Sequence, residues 1–283
     1  MARHLEGQAI GVVVDVLPPR SEGEACLAAA ARDGRTCLTR LRQRGSAKIF
    51  LPEGGAPYGA LDAVLLNTSG GVTGGDRFVY GATAEQGGWL RCATQTAERA
   101  YRAQPGETGS ISVNLRAASG ARLDWLPQET ILFDQSSLQR RLTADLAPDA
   151  TFFAVEPLVF GRAAMGERLA SIQFSDQWRV RRGGELVYAD ALRLSGRVDE
   201  VLPRRALLAG AGAMASVLYV GDDAETHLKP VREALSATAG ASLLRSEVLC
   251  VRVLAQSGFE LRKTLIPILS ALGRAPLPKV WTL

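Results

Sequence analysis

Residues 65–77, LLNTSGGVTGGDR, run from an apolar, strand-like segment into four glycines and end on Asp76 and Arg77. Glycines this dense imply backbone turns that side chains would forbid. Gly70 and Gly75 have the spacing that opens a phosphate-cradling P-loop, but Asp76 and Arg77 stand where that loop needs lysine followed by Ser or Thr. A carboxylate there repels phosphate, and taken alone the segment reads as a tight turn between strands. Nucleophilic catalysis needs a base beside its nucleophile, and the only histidines are His4, near the N-terminus, and His227, at a helix start. No Ser-His-Asp set is credible. Gly210, Gly212 and Ala215 have dinucleotide-fingerprint spacing, but they lead into the strand-like SVLYV where that fingerprint requires a helix. Acid–base chemistry would have to come from Glu129, Asp134 and Glu156 converging in space. Cys26, Cys37, Cys92 and Cys250 lack CxxC spacing and suit neither a disulfide framework nor a zinc site.

The elements that must position these groups are mostly strands. Ile10 to Val16, Cys37 to Leu41, Leu61 to Leu66, Arg77 to Ala82, Trp89 to Thr94 and Ile111 to Leu115 are short runs separated by turn residues. Ile111, Val113 and Leu115 alternate with Ser112 and Asn114, and Leu138, Leu142 and Leu146 keep one parity through a polar run, so each strand has a buried and a wet face. Arg40, Arg42 and Arg44 alternate as solvent-facing strand positions do. Gly183 and Gly184, between WRV and ELVY, signal a two-residue hairpin. Helices gather near the end. One is expected from about Ala224 to Ala239 with Val231 and Leu235 inward; VLCVRVLA from Val248 is a strand. Ser257 and Glu260 then form a capping box for a helix that buries Leu265, Ile268, Leu269 and Leu272, kinks at Pro267 and closes at Gly273. Residues 17–36 receive no assignment. No internal repeat is evident, and no Pro-rich or Ser-rich linker interrupts the chain. The fold class is therefore mainly β, a large multi-stranded body with a small helical layer near the C-terminus. It is read as one domain over 1–283, β-rich over about 1–221 and helix-containing over about 222–283.

Composition agrees with a folded protein. A length of 283 residues suits one large all-β body, and apolar and charged fractions of 47% and 22% support a sizeable core and argue against disorder. A formal charge of +4 without a run of basic residues makes nucleic acid an unexpected partner. The longest uncharged stretch, Ala206 to Gly221, is too short for a membrane helix and reads as buried protein. MARHLEGQ is not followed by the apolar core and cleavage site of an export signal, so the cytoplasm is the expected location.

Four segments follow one another in order: the glycine loop ending at Gly74, Gly75 and Asp76; TQTAERAYR at 94–102, with Thr94, Thr96, Tyr101 and Arg102; WLPQE from Trp125 to Glu129; and EPLVFGRAAMGE at 156–167, with Glu156, Gly161, Arg162, Gly166 and Glu167. Together with the closing PLPKVW they resemble the urease accessory protein UreD (UreH) family, over roughly Leu38 to the end. Where that family more often has His and Pro before the glycines, this chain has Asn67, Thr68 and Ser69. The resemblance implies a non-enzymatic maturation factor with an unusual, largely β fold and a helical pair. It would act with UreF and, through UreF, the GTPase UreG, dock apo-urease and enable nickel insertion, with a water-filled passage carrying the ion. The alternative is an interaction scaffold that holds apo-urease open without conducting nickel. A tight nickel or zinc site would use histidine or cysteine, and no cluster of either occurs, so the expectation is no tightly bound cofactor and at most transient nickel(II). An ion that must enter and leave is better served by weak oxygen ligands and water. Asp76, Glu129, Glu156 and Glu167, each inside one of the four segments, are the candidate relay carboxylates; the competing reading has them accepting backbone N–H bonds in turns or pairing with Arg102, Arg140 and Arg162.

Overall fold

The structure, a computed structural model, describes residues 19–52, 57–162 and 165–282. It opens with an antiparallel hairpin of β1 (Glu22–Arg32) and β2 (Arg35–Gly45), turned by Asp33 and Gly34 at φ 49° and 76°. Two positive-φ residues give the turn whose twist matches that of the flanking strands. A second antiparallel pair, β3 (Ala47–Phe50) and β4 (Leu61–Asn67), follows.

From there the backbone coils. One coil is β5 (Arg77–Ala84), β6 (Trp89–Thr94) and β7 (Glu98–Ala100); the next is β8 (Gly109–Ala117), β9 (Arg122–Leu126) and β10 (Thr130–Leu132); a third is β11 (Ser137–Leu146) and the long β12 (Thr151–Phe160). Each coil stacks in parallel on the one before. β5, β8 and β11 align in one sheet, β6, β9 and the first half of β12 in a second, and β7, β10 and the far end of β12 in a short side run. β13 (Ser171–Arg182) adds to the first sheet in parallel, and β14 (Glu185–Arg197) folds back on it through Gly183 and Gly184, both at positive φ. β15 (Ala213–Val220) returns antiparallel on β12. After α1 (Ala224–Glu233), strands β16 (Ala239–Arg245) and β17 (Val248–Ala255) extend the second sheet, and α2 (Gly258–Leu272) covers it. The two sheets hold seven and ten strands.

Period-2 geometry gives the second sheet two buried faces. Phe152 faces a core between the sheets, with Phe78, Leu90, Leu115 and Trp178, while its neighbour Phe153 faces a second core with Tyr219, Val251, Leu265, Leu269 and Trp281 under the helices. β15 is buried at every position, as a strand covered on both sides must be.

The mainly β architecture and the C-terminal helices are as the sequence indicates, and the Ser257 hydroxyl accepts from the Glu260 N–H. The expected strand Ile10–Val16 lies outside the described residues. The first helix is shorter than expected: it ends at Glu233, with Ala239 already in β16. The unassigned stretch 17–36 contains β1. α2 is one helix across Pro267. A structural repeat is present that the sequence does not display, since β5, β8 and β11 begin roughly thirty residues apart.

Candidate functional site

The glycine loop joins β4 to β5, and Asp76 is its fastener. The carboxylate accepts from the backbone N–H of Ser21 at 2.7 Å and of Thr73 at 2.8 Å. Gly71 lies flat against the 94–102 segment, where a Cβ would stand 2.2 Å from the Tyr101 ring, and Tyr101 donates its hydroxyl to the Gly70 carbonyl at 3.2 Å. Asn67 binds the two segments from the other side. Its amide donates to the Gly71 carbonyl at 2.9 Å and to the Glu98 carboxylate at 3.1 Å.

Between the sheets these segments wall a cavity of about 110 Å³, enough for several waters. Asn67 comes from the end of β4 and Gly70 from the loop, Thr94, Thr96 and Glu98 from the second segment, Trp125 and Gln128 from the third, and Glu156 from the fourth. Four stretches far apart in sequence thus meet at one polar space because successive coils stack their corresponding residues. The facing sheet contributes Arg140 on β11 and Asp176 on β13.

Arg140 is the pivot. Its guanidinium reaches the carboxylates of Glu156 at 2.7 Å and Asp176 at 2.5 Å and donates to the Thr130 hydroxyl at 2.9 Å, while its Nε has no partner among the described residues. Glu156 also accepts from the Trp125 indole N–H at 2.9 Å. All three charged groups are buried, so one cation faces two anions in a low-dielectric space. Burial pushes the Glu156 carboxyl above the usual carboxylate range, against the pull of Arg140, and Asp176 pushes the same way as burial. Burial alone would lower the pKa of Arg140; Asp176 and Glu156 more than offset it and keep the cation. Across the cavity Glu98 is likewise raised by burial, partly countered by Asn67.

The remaining candidates lie elsewhere. Glu129 stands 3.6 Å from Arg262 and ties the coils to α2. Glu167 grips Arg162, accepting from its backbone N–H at 3.0 Å and its guanidinium at 3.1 Å; the hydrogen bond from that side chain holds the carboxyl below its ordinary range. Arg162 covers the Phe133 ring at 4.1 Å, in a surface groove with Tyr101, Arg102 and Asp134. Only Glu156 of the four lines the cavity, and Asp76, Glu129 and Glu167 each have a local partner. Glu129 and Asp134 do not join Glu156 there. Among the described residues no group of three or more His, Cys, Asp or Glu side chains is arranged to hold a metal ion.

Sequence reasoning missed Glu98, Asp176 and the pivotal role of Arg140. Arg140 falls between Leu138 and Leu142, and Asp176 between Phe174 and Trp178, on parities that otherwise bury apolar side chains. A charge on the inward parity was the readable signal.

Fold and cavity together define a flattened β-solenoid whose two sheets flank a polar, acid-lined space and whose second sheet carries a helical layer. Residues 21–282 match the UreD urease accessory protein family, and the chain belongs to that family. It is similar to the urease accessory protein UreD of Rhizobium rhizogenes, 47% identical over 268 residues covering 94% of this chain and 97% of that one. It is similar also to that of Ruegeria pomeroyi, at 48% over 250 residues covering 88% and 96%. No helix among the described residues is long and apolar enough to cross a membrane.

Proposed function

We propose that this chain is a non-enzymatic urease maturation factor that works with UreF, and through UreF with the GTPase UreG, to dock apo-urease and pass nickel(II) to it in the cytoplasm. The observation that carries the reading is the cavity between the sheets, where Glu98, Glu156 and Asp176 offer oxygen ligands beside room for water. Nickel is cargo in this scheme. Carboxylates already engaged by Arg140 and Asn67 bind a passing divalent ion weakly, which suits transfer better than storage. Glu156 and Glu98 are the relay groups; Asp76, Glu129 and Glu167 hold the loop, the helix layer and the surface groove around them. One observation favours the scaffold alternative: Glu156 is already paired with Arg140 at 2.7 Å.

The two readings separate in co-expression with urease and the other accessory proteins. Glu98→Gln should leave complex formation intact and lower nickel per urease active site. Val113→Phe, which narrows the cavity from its β8 wall, should do the same. Normal nickel loading by both variants would sink the relay and leave the scaffold; normal loading without this chain would sink both.

A further inference from the structure

The two sheets differ in what covers them. Helices α1 and α2 pack on the ten-stranded sheet, through β12, β15, β16 and β17. The outward face of the seven-stranded sheet carries no helix among the described residues, and its residues are distinctive. Strand register brings Arg77, Arg116, Arg141, Arg179, Arg181 and Arg193 to that face, all exposed. Polar side chains stand between them: Arg77 lies beside Ser110, Arg141 between Ser112 and Gln177, Arg179 beside Thr143 and Arg193 beside Ser175. The β2 arginines 40, 42 and 44 extend the face at its edge through their pairing with β1. Against these stand three carboxylates: Glu22 opposite Arg77, Glu24 opposite Arg44, and Asp145 between Arg116 and Arg181. Glu24 pairs with Arg42 at 3.1 Å, and none of the first six arginines forms an ion pair among the described residues.

Nine arginines against three carboxylates leave a net positive excess on one rigid face, which raises the free energy of the isolated protein, and a complementary surface relieves it. Arginine is the cation enriched at protein interfaces, where its planar fork grips carboxylates, whereas lysine is depleted; no lysine stands on this face. Six interstrand gaps of ~4.8 Å and ten residues at ~3.3 Å give the sheet roughly 950 Å². That exceeds the ~800 Å² each partner contributes to a standard interface. Other anionic partners fit less well. Single-stranded nucleic acid calls for aromatic stacking platforms, and no aromatic residue lies on the face among the described residues; a flat sheet face does not enter a duplex groove; and stable membrane attachment needs an apolar anchor beside the charge.

We propose that the outer face of the seven-stranded sheet is a docking surface for an acidic face of a protein partner, read by its arginines. This rests on the maturation reading to the extent that the partner is one of the proteins named there.

The test measures binding of the purified full chain to UreF and to apo-urease, with a tRNA pool and phosphatidylserine vesicles as anionic comparisons. Wild type should bind one of the two proteins with an affinity that falls as salt rises. Arg141→Glu with Arg179→Glu should weaken that binding at least about tenfold, while Arg141→Lys with Arg179→Lys retains most of it. Arg204→Glu with Arg205→Glu, equal in charge change but off this face, should leave it unaltered. If wild type binds and the reversed pair binds equally well, the docking inference falls and the maturation reading stands. Arginine-dependent binding to tRNA or vesicles alone overturns the inference in favour of that ligand. Failure of wild type to bind either protein overturns both readings.

Discussion

Replacing Arg140 by methionine is the sharpest perturbation of the cavity. Among the described residues the guanidinium is the only cation paired with Glu156 and Asp176, at 2.7 and 2.5 Å, and all three groups are buried. Methionine fills similar volume, so packing changes little and two uncompensated carboxylates remain. Removing one member of a buried ion pair typically costs about 3–5 kcal/mol. For a chain of this size each kcal/mol shifts the melting temperature by about 2–4 °C, so at pH 7.5 a drop of at least ~6 °C is expected. Glu156→Gln should cost far less, about 1–2 kcal/mol, because Arg140 keeps Asp176 and only one of the two hydrogen bonds at Glu156 is lost. The pH dependence carries the sign. Glu156 is already raised by burial with Arg140 present, and without the cation its folded pKa rises further above the unfolded one. A carboxyl raised in the folded state contributes stability that is fully present below the unfolded pKa and is lost as pH rises through the folded pKa. The variant should therefore recover stability on acidification, relative to wild type, by up to about 1.4 kcal/mol per pH unit as Glu156 titrates. Urea denaturation at pH 5.5, 6.5 and 7.5 measures this. A loss in Arg140→Met no larger than in Glu156→Gln, or one that does not shrink as pH falls, would refute the electrostatic account.

Gly71→Ala should destabilise the loop by about 1–3 kcal/mol, since its Cβ would stand 2.2 Å from the Tyr101 ring; native-state hydrogen exchange at Val72 and Tyr101 should rise, and unchanged protection there would contradict so close an approach. Trp281→Ala should cost about 3–5 kcal/mol, because that side chain is fully buried and its indole N–H donates to the Leu126 carbonyl at 2.9 Å; chemical denaturation reads the loss.

Several features of this fold were legible because local physics decides them. Alternation gives β8 and β11, the Gly183–Gly184 pair gives the β13–β14 hairpin, and Ser257 with Glu260 gives the start of α2. The pairing of Glu156 with Arg140 and of Glu167 with Arg162 was one of the two readings the motif carboxylates allowed. What escaped reading is set by tertiary contact. β1, with the alanine run of EGEACLAAAAR, has no strand propensity to speak of and is a strand because β2 and β5 pair with it on both sides; its Asp33–Gly34 turn was a missed local sign. Glu98 belongs to the cavity because β7 stacks against β10, a pairing of segments roughly thirty residues apart, and Asn67 at the end of β4 reaches it across that space. The coil repeat is silent in sequence because parallel stacking requires matching burial, not matching residues.

The order in which the chain leaves the ribosome gives the helical layer a second significance. Each coil can settle on its predecessor as it is synthesised, since β5, β8, β11 and β13 each pair with a strand already made. The far side of the ten-stranded sheet has no such help. Phe153 must wait for α2 and Trp281, made more than a hundred residues after it, before its side of the sheet is sealed. Until they emerge, the nascent protein carries a finished cavity beside an unfinished apolar wall, so α2 and Trp281 decide how long the newborn chain is at risk of aggregation.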